Sequence, residues 1–378
     1  MTRLDHITLI FIGLILAGCA PRSELANFEP VVEQAQTDAS DTANAISISL
    51  PDYAAMRIQV AGVGDIMLGT DFPENHLPDD DGVGFLAAVT PILNSADISF
   101  GNLEGVLLDD GEPIKECKDP QACYLFRSPS RYAQHLASAG FNVLSLANNH
   151  ARDFGEQGRD ASMAALDNVG IHHSGREGEV ASWEQAELRI AMIAFSPTRG
   201  SWSLLDIERA TWAVAGLAAR HDIVIISFHG GAEGFDGAQR IGFGMEYAYG
   251  EPRGNVVEFA HAVIDAGADL VLGHGPHVPR AMELYNGRLI AYSLGNFATY
   301  YGISVQGSKG YAPIVIANLD GYGRFISGQL LSNRQIRPGG PQPDPEEHAL
   351  NMIRELSRMD FPDNGLEFEP GGSIRIKR

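Results

Sequence analysis

Basic residues are scarce in this sequence relative to acidic ones. Lys and Arg total 27 against 48 Asp and Glu, which gives a formal net charge of −21. A nucleic-acid-binding protein needs a basic face to contact phosphates, and attachment to an anionic bilayer through basic patches has the same requirement. We therefore expect no nucleic-acid partner and no membrane contact of that electrostatic kind.

Cysteine is also rare, with 3 residues in a chain of 378. This content argues against a cysteine-rich structural zinc site. Cys117 and Cys123 lie close together in a predicted loop. In an oxidising compartment we predict a disulfide between them, and free thiols are the alternative.

No apolar run in the sequence reaches the length of about 20 residues that spans a bilayer. The run Ile7–Ala17 instead has the size of the apolar region of a secretory signal. It leads into Leu16-Ala17-Gly18-Cys19, which resembles a bacterial lipobox. We predict a lipoprotein signal peptide over residues 1–18 and lipidation of Cys19, so that the protein is exported and anchored by lipid to the bacterial cell envelope. An ordinary cleaved signal and an uncleaved anchor are the alternatives.

The residues after this signal are acidic and have little apolar periodicity. Residues 23–50 contain Glu and Asp but neither Lys nor Arg. Such a composition favours a solvated chain over a packed one. We predict a flexible acidic tether over residues 19–55.

From Met56 onward, short β-branched runs alternate with amphipathic stretches, and the hydrophobic fraction of 44% is that of a folded protein. This alternation predicts an α/β domain with a mainly parallel sheet covered by helices. Strands are predicted at 57–63, 98–101, 142–146, 188–194, 223–228, 270–272 and 288–292, and helices at 85–93, 131–139, 157–168, 207–220, 256–266 and 346–358. Segments 312–319 and 325–331 lack intervening helices and are predicted to be antiparallel strands of a second sheet. We predict one domain over residues 56–335 and a C-terminal extension over 336–378 with one helix packing on it.

Polar side chains that can bind a metal follow several of the predicted strands. In open α/β sheets the carboxyl ends of the strands meet at the ligand-binding edge. Carboxylate, amide oxygen and imidazole together suit Zn²⁺, Mn²⁺ or Fe²⁺, and a carboxylate can bridge two such ions. The residues at these positions are Asp65, Glu104, Asn148, Asn149, His150, His229, His274 and His277.

Each of these residues also has an ordinary structural interpretation. Asp65 can cap a turn, Glu104 can be a surface carboxylate, and His229 can be a buried structural histidine. A further alternative is a serine hydrolase, because Tyr292-Ser293-Leu294-Gly295 approaches a nucleophile elbow, although the leading glycine is missing. The joint position of the polar residues after separate strands favours the metal site.

Six segments in this order resemble the CapA family, which is tied to poly-γ-glutamate capsule formation and is related to calcineurin-like metallophosphoesterases. They cover residues 57–300 approximately and read Gly64-Asp65-Ile66-Met67-Leu68-Gly69, Asn102-Leu103-Glu104, Leu144-Ser145-Leu146-Ala147-Asn148-Asn149-His150 with Asp153, Phe228-His229-Gly230, Gly273-His274-Gly275-Pro276-His277, and Tyr292-Ser293-Leu294-Gly295-Asn296-Phe297. The resemblance implies a four-layer α/β/β/α sandwich with two mixed sheets flanked by helices. It also implies one or two divalent ions (Mn, Zn or Fe) held by Asp65, Glu104, Asn149, His229, His274 and His277. The resemblance implies, further, that His150 is the acid that protonates the leaving oxygen.

The sequence departs from the phosphoesterase pattern at the first metal position. Met67 stands where such enzymes carry a histidine two residues after the first aspartate, and Glu104 stands where they carry a bridging aspartate. Gly275 stands where many relatives have another histidine. The resemblance therefore leaves the first metal position short of a ligand.

Two functions remain open from the sequence. The first is a metal-dependent hydrolase acting on a phosphoester or an anionic, amide-linked polymer, with Asn102, Asn148 and Arg280 as candidate substrate-binding residues. The second is a non-catalytic accessory or binding protein for polymer export or surface anchoring. Both imply contact with the membrane through the lipid and allow contact with other capsule synthesis proteins.

Overall fold

A computed structural model describes residues 52–115, 124–234 and 238–378 of the chain. The predicted signal peptide, most of the predicted tether, Cys19, and the pair Cys117 and Cys123 lie outside the described residues. Within the described ranges, no helix combines the length and the apolar character needed to cross a membrane.

The described chain alternates short strands with six α-helices. The strands are β1 Ile58–Met67, β2 Ile98–Leu103, β3 Val106–Leu107, β4 Arg127–Ser128, β5 Val143–Ser145, β6 His172–Ser174, β7 Ala181–Gln185, β8 Leu188–Ser196, β9 Trp202–Ser203, β10 Ile223–His229, β11 Glu246–Ala248, β12 Glu251–Gly254, β13 Leu270–His274, β14 Met282–Tyr285, β15 Arg288–Ala291, β16 Asn296–Thr299, β17 Ile314–Leu319, β18 Phe325–Leu331, β19 Asn333–Gln335, β20 Pro341–Pro343, β21 Leu366–Phe368 and β22 Ser373–Ile376. The helices are α1 Thr90–Leu93, α2 Tyr132–Ala139, α3 Gly155–Asp167, α4 Ile207–Ala218, α5 Val256–Asp265 and α6 His348–Asp360.

Two mixed sheets contain most of these strands. The first sheet has the order β21-β22-β18-β17-β1-β2-β5-β6, and β16 also pairs with β1. Its strands β1, β2, β5 and β6 are parallel, whereas β17 runs antiparallel to β1. The second sheet has the order β14-β15-β13-β10-β8-β7, with β9 beside β8 and a parallel centre of β8, β10, β13 and β15.

The two sheets pack face to face and each carries helices on its outer face. Alternate side chains of one strand point to opposite faces of its sheet. In β1, Ile58 and Val60 lie in the core between the sheets, whereas Ala61 and Val63 lie in a core shared with α2 and α3. The outer face of the second sheet packs on α4 and α5 in the same way. The chain therefore forms the expected four layers, α/β/β/α.

Local sequence signals explain where several helices begin and end. The side chain of Asn255 accepts a hydrogen bond from the Glu258 backbone N–H, and its own amide donates to the Glu258 carboxylate, which caps the start of α5. Gly140, at φ +103°, ends α2 in the left-handed conformation that glycine adopts most readily. These caps fix the loops that lead into the neighbouring strands.

Two sequence expectations about the fold are wrong. Strands β17 and β18 do not form a second sheet; they pair in succession onto β1 and extend the first sheet. The helix predicted over residues 85–93 is shorter and comprises α1 alone. The residues before α1 form turns, in which the Phe85 N–H donates to the Gly82 carbonyl and the Ala87 N–H donates to the Gly84 carbonyl. Pro91 lacks the backbone N–H of a helix interior, so it favours a helix start at this point.

Residues 336–378 add more than a helix to the structure. Leu350 and Ile353 of α6 lie in the core between the two sheets. Strands β21 and β22 extend the first sheet next to β18.

Gly64 offers a test of how closely the chain packs beside the end of β1. A Cβ atom at this position would lie 2.0 Å from the Gly295 carbonyl oxygen, to which the Asp65 N–H donates. We expect Gly64→Ala to lower the free energy of unfolding by about 2 kcal/mol or more, the range of overpacking in cores. Thermal denaturation measures this effect.

Gly216→Ala is the matched control for that substitution. Gly216 lies in α4, where a Cβ atom would have no neighbour within 4 Å, and its φ is not positive. Replacing an exposed helical glycine by alanine stabilises by about 0.5–1 kcal/mol. Equal effects of the two substitutions would contradict the close approach at Gly64.

Candidate metal centre

The strand register brings the predicted ligands to one end of both sheets. In the first sheet Asp65 of β1 pairs with Asn102 of β2, and in the second sheet His229 of β10 pairs with His274 of β13. The sequence predicted that these residues share the edge of one sheet, which is wrong, because β10 and β13 belong to the other sheet. The site forms where the carboxyl ends of the two sheets meet.

A hydrogen bond joins the two sheets at this site. His274 Nε2 lies 3.0 Å from the carbonyl oxygen of Val63, two residues before Asp65. With the proton on Nε2, the ring donates to this carbonyl and leaves the lone pair of Nδ1 free. A backbone carbonyl that holds one ring nitrogen is the usual way in which proteins orient a metal-binding histidine.

Three side chains lie close enough to share one ion. The ligand atoms of Asp65, Glu104 and His277 all lie within 4.8 Å of one another. His277 Nδ1 lies 3.1 Å from Asp65 Oδ2, and His277 Nε2 lies 3.7 Å from Glu104 Oε1. His277 itself adopts φ +58°, an uncommon conformation for a residue other than glycine, which directs its ring into this cluster.

Unpartnered buried atoms support a metal at this position. A buried polar atom without a hydrogen bond costs free energy, so native structures contain few of them. Several such atoms lie on four of the six predicted ligands. They are both carboxylate oxygens of Glu104, Asn149 Oδ1, His274 Nδ1, and the two ring nitrogens of His229, of which a neutral ring offers one lone pair. The donor set therefore fits a divalent cation.

The charges of the cluster depend on burial and on the short distances between its members. Burial and the Asp65 carboxylate raise the pKa of Glu104 well above its usual value. Burial opposes protonation of His277, but Glu104 and Asp65 outweigh it and raise the pKa of His277 to about 10, so a metal that binds His277 must displace its proton. Burial lowers the pKa of both His229 and His274, so these rings are neutral, the form that binds metals.

His150, the predicted acid, lies beside this cluster in a pair with Asp153. His150 Nδ1 lies 2.8 Å from Asp153 Oδ2, and the ring packs on Phe126 with the centroids 4.3 Å apart. Burial lowers the pKa of His150 although the Asp153 carboxylate opposes this effect. The contact with Asp153 orients the ring through Nδ1, so Nε2 is the ring nitrogen that does not contact Asp153.

The candidate substrate-binding residues Asn102 and Asn148 have positioning contacts instead. Both side chains are fully buried. Asn102 Nδ2 donates to Asp65 Oδ1 at 2.9 Å, and Asn148 Nδ2 donates to Asn102 Oδ1 at 3.1 Å. Asn148 Oδ1 accepts from the backbone N–H of His150. This chain of hydrogen bonds connects His150, the predicted acid, to the carboxylate of Asp65.

Arg280 and Ser293 are also engaged within the protein. The Arg280 guanidinium is fully buried, and its three nitrogens donate to Glu246 and to the carbonyls of Ala232 and Ala238. Arg280 therefore holds the loop after β10 and does not face a substrate. Ser293 Oγ donates to the Val278 carbonyl between two strands, which does not match a serine nucleophile.

Met67 is buried in a small apolar cluster with Phe126 and Ile303. The side chain that replaces the first histidine of the phosphoesterase pattern therefore packs and offers no nitrogen. The first metal position has one ligand fewer than that pattern requires.

Three further charged residues of the site carry no signal in the sequence. Glu233 Oε2 lies 3.3 Å from His277 Nε2, and Glu233 Oε1 pairs with Arg253 Nη2. Lys115 Nζ lies 2.8 Å from Asp153 Oδ1. Glu233 and Lys115 lie in loops and Arg253 lies on β12, outside the predicted strands, so strand periodicity carried no signal for them.

The four-layer fold and the carboxylate–imidazole cluster at the joint edge of its sheets define an α/β sandwich protein with a candidate metal centre. A sequence profile for the family described as "Bacterial capsule synthesis protein PGA_cap" matches residues 59–301. The chain belongs to this bacterial capsule synthesis family.

Individual relatives agree with that membership. The PGA biosynthesis protein CapA of Bacillus subtilis is 29% identical over 349 residues, which cover 86% of each chain. A probable polyglutamine synthesis accessory protein of Mycobacterium tuberculosis is 27% identical over 337 residues, covering 77% of this chain and 82% of the relative. Among solved structures, a 5'-nucleotidase precursor from Thermus thermophilus superposes with a TM-score of 0.43 at 11% identity, over 80% of this chain and 59% of that protein.

Glu104→Gln tests whether the cluster binds a metal. We expect Mn²⁺ or Zn²⁺ to stabilise the unmodified protein, by about 2.7 kcal/mol at one hundred times the dissociation constant, and to stabilise the variant much less. Without metal the variant is expected to be at least as stable as the unmodified protein, because it removes a buried carboxylate that faces Asp65. Thermal unfolding with and without metal measures both effects.

Glu367→Gln serves as the control, because Glu367 is an exposed residue of β21. It should keep the full stabilisation by metal. The same metal response in Glu104→Gln and in the control would contradict ligation by Glu104.

Proposed function

We propose that this protein is a metal-dependent hydrolase of the bacterial cell envelope that acts in capsule biosynthesis, on a poly-γ-glutamate-type polymer or on a phosphoester. The observation that carries this proposal is the set of unpartnered ligand atoms beside the His150–Asp153 pair. The names of relatives support the capsule role, since one is a PGA biosynthesis protein and another a polyglutamine synthesis accessory protein.

The oxygen and nitrogen donors suit one or two ions of Mn²⁺, Zn²⁺ or Fe²⁺. Asp65, Glu104 and His277 would hold one ion. Asn149, His229 and His274 offer the donors for a second. Such an ion supplies Lewis-acid chemistry, which activates water and stabilises negative charge on the substrate.

His150 serves as the general acid in this proposal. Asp153 holds Nδ1, so the proton that moves to the leaving group is carried on Nε2. Because burial lowers the pKa of His150, its protonated form gives up a proton readily. Lys115 lies 3.3 Å from Nδ1 and contacts the other Asp153 oxygen, so it holds the carboxylate in place.

His150→Ala separates catalysis from metal binding. General acid–base catalysis contributes about 10²–10⁴-fold to rates, so we expect a loss of that size in the kcat for a model phosphodiester or a γ-glutamyl amide. Metal content should stay unchanged, because the variant keeps Asp65, Glu104 and His277. Steady-state kinetics with Mn²⁺, together with elemental analysis, measures both quantities.

His221→Gln is the control, since His221 contacts Ser182 and the Leu217 carbonyl and takes no part in the cluster. It should keep full activity. Turnover that is the same in His150→Ala as in the control would rule out the acid role.

The second candidate function is a non-catalytic accessory protein that binds polymer during export or surface anchoring. The specific observation in its favour is Met67, whose apolar packing leaves the first metal position without its usual histidine. This function requires that a gene encoding His150→Ala restores capsule retention in a deletion strain as well as the unmodified gene does. Failure of that variant to restore retention, with normal protein levels, favours the hydrolase.

We also propose that Cys19 carries a lipid that anchors the protein to the envelope, where other capsule synthesis proteins are potential partners. The support is the lipobox-like sequence Leu16-Ala17-Gly18-Cys19 after a short apolar run. A Cys19→Ala variant is expected to leave the membrane fraction of fractionated cells, as followed by immunoblot. Unchanged membrane association of the variant would count against lipidation.

A further inference from the structure

An anionic substrate would face strong repulsion at this site. The chain carries a net charge of −21, and the cluster itself contains the carboxylates of Asp65, Glu104 and Glu233. Binding a carboxylate or phosphoryl group there requires positive charge in addition to any metal. Among the lysines and arginines of the described chain, Lys115 contacts Asp153 of the acid pair and Arg253 pairs with Glu233.

The cluster is accessible from the side of His277 and Glu233. The side chains of Asp65 and Glu104 are fully buried, whereas those of His277 and Glu233 are 19% and 10% exposed. His229 and His274, at the ends of β10 and β13, are buried as well. His277 and Glu233 are therefore the members of the site that a substrate can reach from solvent.

Arg253, itself buried, contacts Glu233 on this more exposed side. Its Nη2 pairs with Glu233 Oε1, while Glu233 Oε2 lies 3.3 Å from His277 Nε2. One carboxylate thus separates the guanidinium from a ligand of the cluster. The Arg253 carbonyl also accepts a hydrogen bond from Gly231 N–H at 2.9 Å, which ties β12 to the loop that follows His229.

The guanidinium of Arg253 has donor capacity left. Its side chain is 6% exposed, and Nε is buried without a hydrogen-bond partner among the described residues. A buried guanidinium N–H without an acceptor costs free energy that an incoming oxyanion would recover. Arginine presents its donors in a planar fork that matches a carboxylate or a phosphoryl group.

The other basic side chains fit this role less well. Lys115 contacts Asp153 and lies against His150, so its charge is committed to the acid. Arg280 is fully buried and donates from all three nitrogens to Glu246 and backbone carbonyls.

We propose that Arg253, oriented by Glu233, binds an oxyanion group that the substrate carries beside the bond to be cleaved. The group is a carboxylate of an acidic polymer or a phosphoryl oxygen of a phosphoester, which share this chemistry. The inference rests on the proposed function for the identity of the site, and it assigns to Arg253 the selection of anionic substrates. Glu233 is a positioning residue that keeps the guanidinium next to the metal ligands.

The test is equilibrium binding to the full-length, Mn²⁺-loaded protein, measured by isothermal titration calorimetry. The probes are inorganic phosphate and a short γ-linked oligoglutamate, which distinguish the two sources of the oxyanion. We expect Arg253→Met to weaken the binding of at least one probe by about ten- to a hundredfold, the worth of a charge-assisted hydrogen bond. Arg253→Lys should restore only part of that affinity, because the ammonium lacks the planar fork.

A second variant covers the case in which Arg253→Met disturbs the loop by leaving Glu233 unpaired. The double variant Arg253→Met with Glu233→Gln removes both charges, and it should show the same loss of probe binding while it still binds Mn²⁺. The control is Arg375→Met, because Arg375 of β22 pairs with Glu369 and takes no part in the site, so this variant should keep full affinity.

Two results would overturn the assignment of Arg253. One is unchanged affinity for both probes in the double variant, and the other is binding of neither probe by the Mn²⁺-loaded unmodified protein. Because these measurements involve no turnover, an inactive protein that binds a probe through Arg253 refutes only the hydrolase proposal. An active protein that binds without Arg253 refutes only this inference.

Discussion

The hydrogen bond between His274 and the carbonyl of Val63 connects the two halves of the site. It crosses from the second sheet to the first and sets the imidazole beside Asp65 with Nδ1 free. Asp65 belongs to the first sheet and the histidines at the ends of β10 and β13 belong to the second, so this contact ties the two sets of ligands together. The close packing of the two sheet faces keeps the strand ends in register, so the site depends on the core between the sheets.

Much of the fold follows from the sequence because the strands are short β-branched runs with clear periodicity. The central strands β1, β2, β8, β10 and β13 lie where they were predicted, and so do most of the helices. The division of strands between two sheets was not predictable from periodicity, because a parallel strand reads the same in either sheet. The CapA-family resemblance supplied the two-sheet architecture, although the attachment of β17 and β18 to β1 became clear only from their pairing.

The candidate site was predicted to a similar extent. Asp65, Glu104 and His277 come together as the motifs indicate. Arg280 shows the limit of the sequence: a lone arginine after a motif looks like an anion ligand, but burial against Glu246 gives it a structural role. The sequence positions of Glu233 and Arg253 did not mark them as site residues. The two side chains meet only because the loop that contains Glu233 folds onto the hairpin of β11 and β12.

The proposed function depends on a divalent ion among the buried carboxylates and imidazoles. The most direct measurement is an anomalous-scattering difference map from crystals of the protein grown with Mn²⁺. We expect a peak within about 2.0–2.3 Å of the oxygen and nitrogen ligands, including Asp65, Glu104 and His277. A well-ordered site with no anomalous peak among these side chains would contradict it.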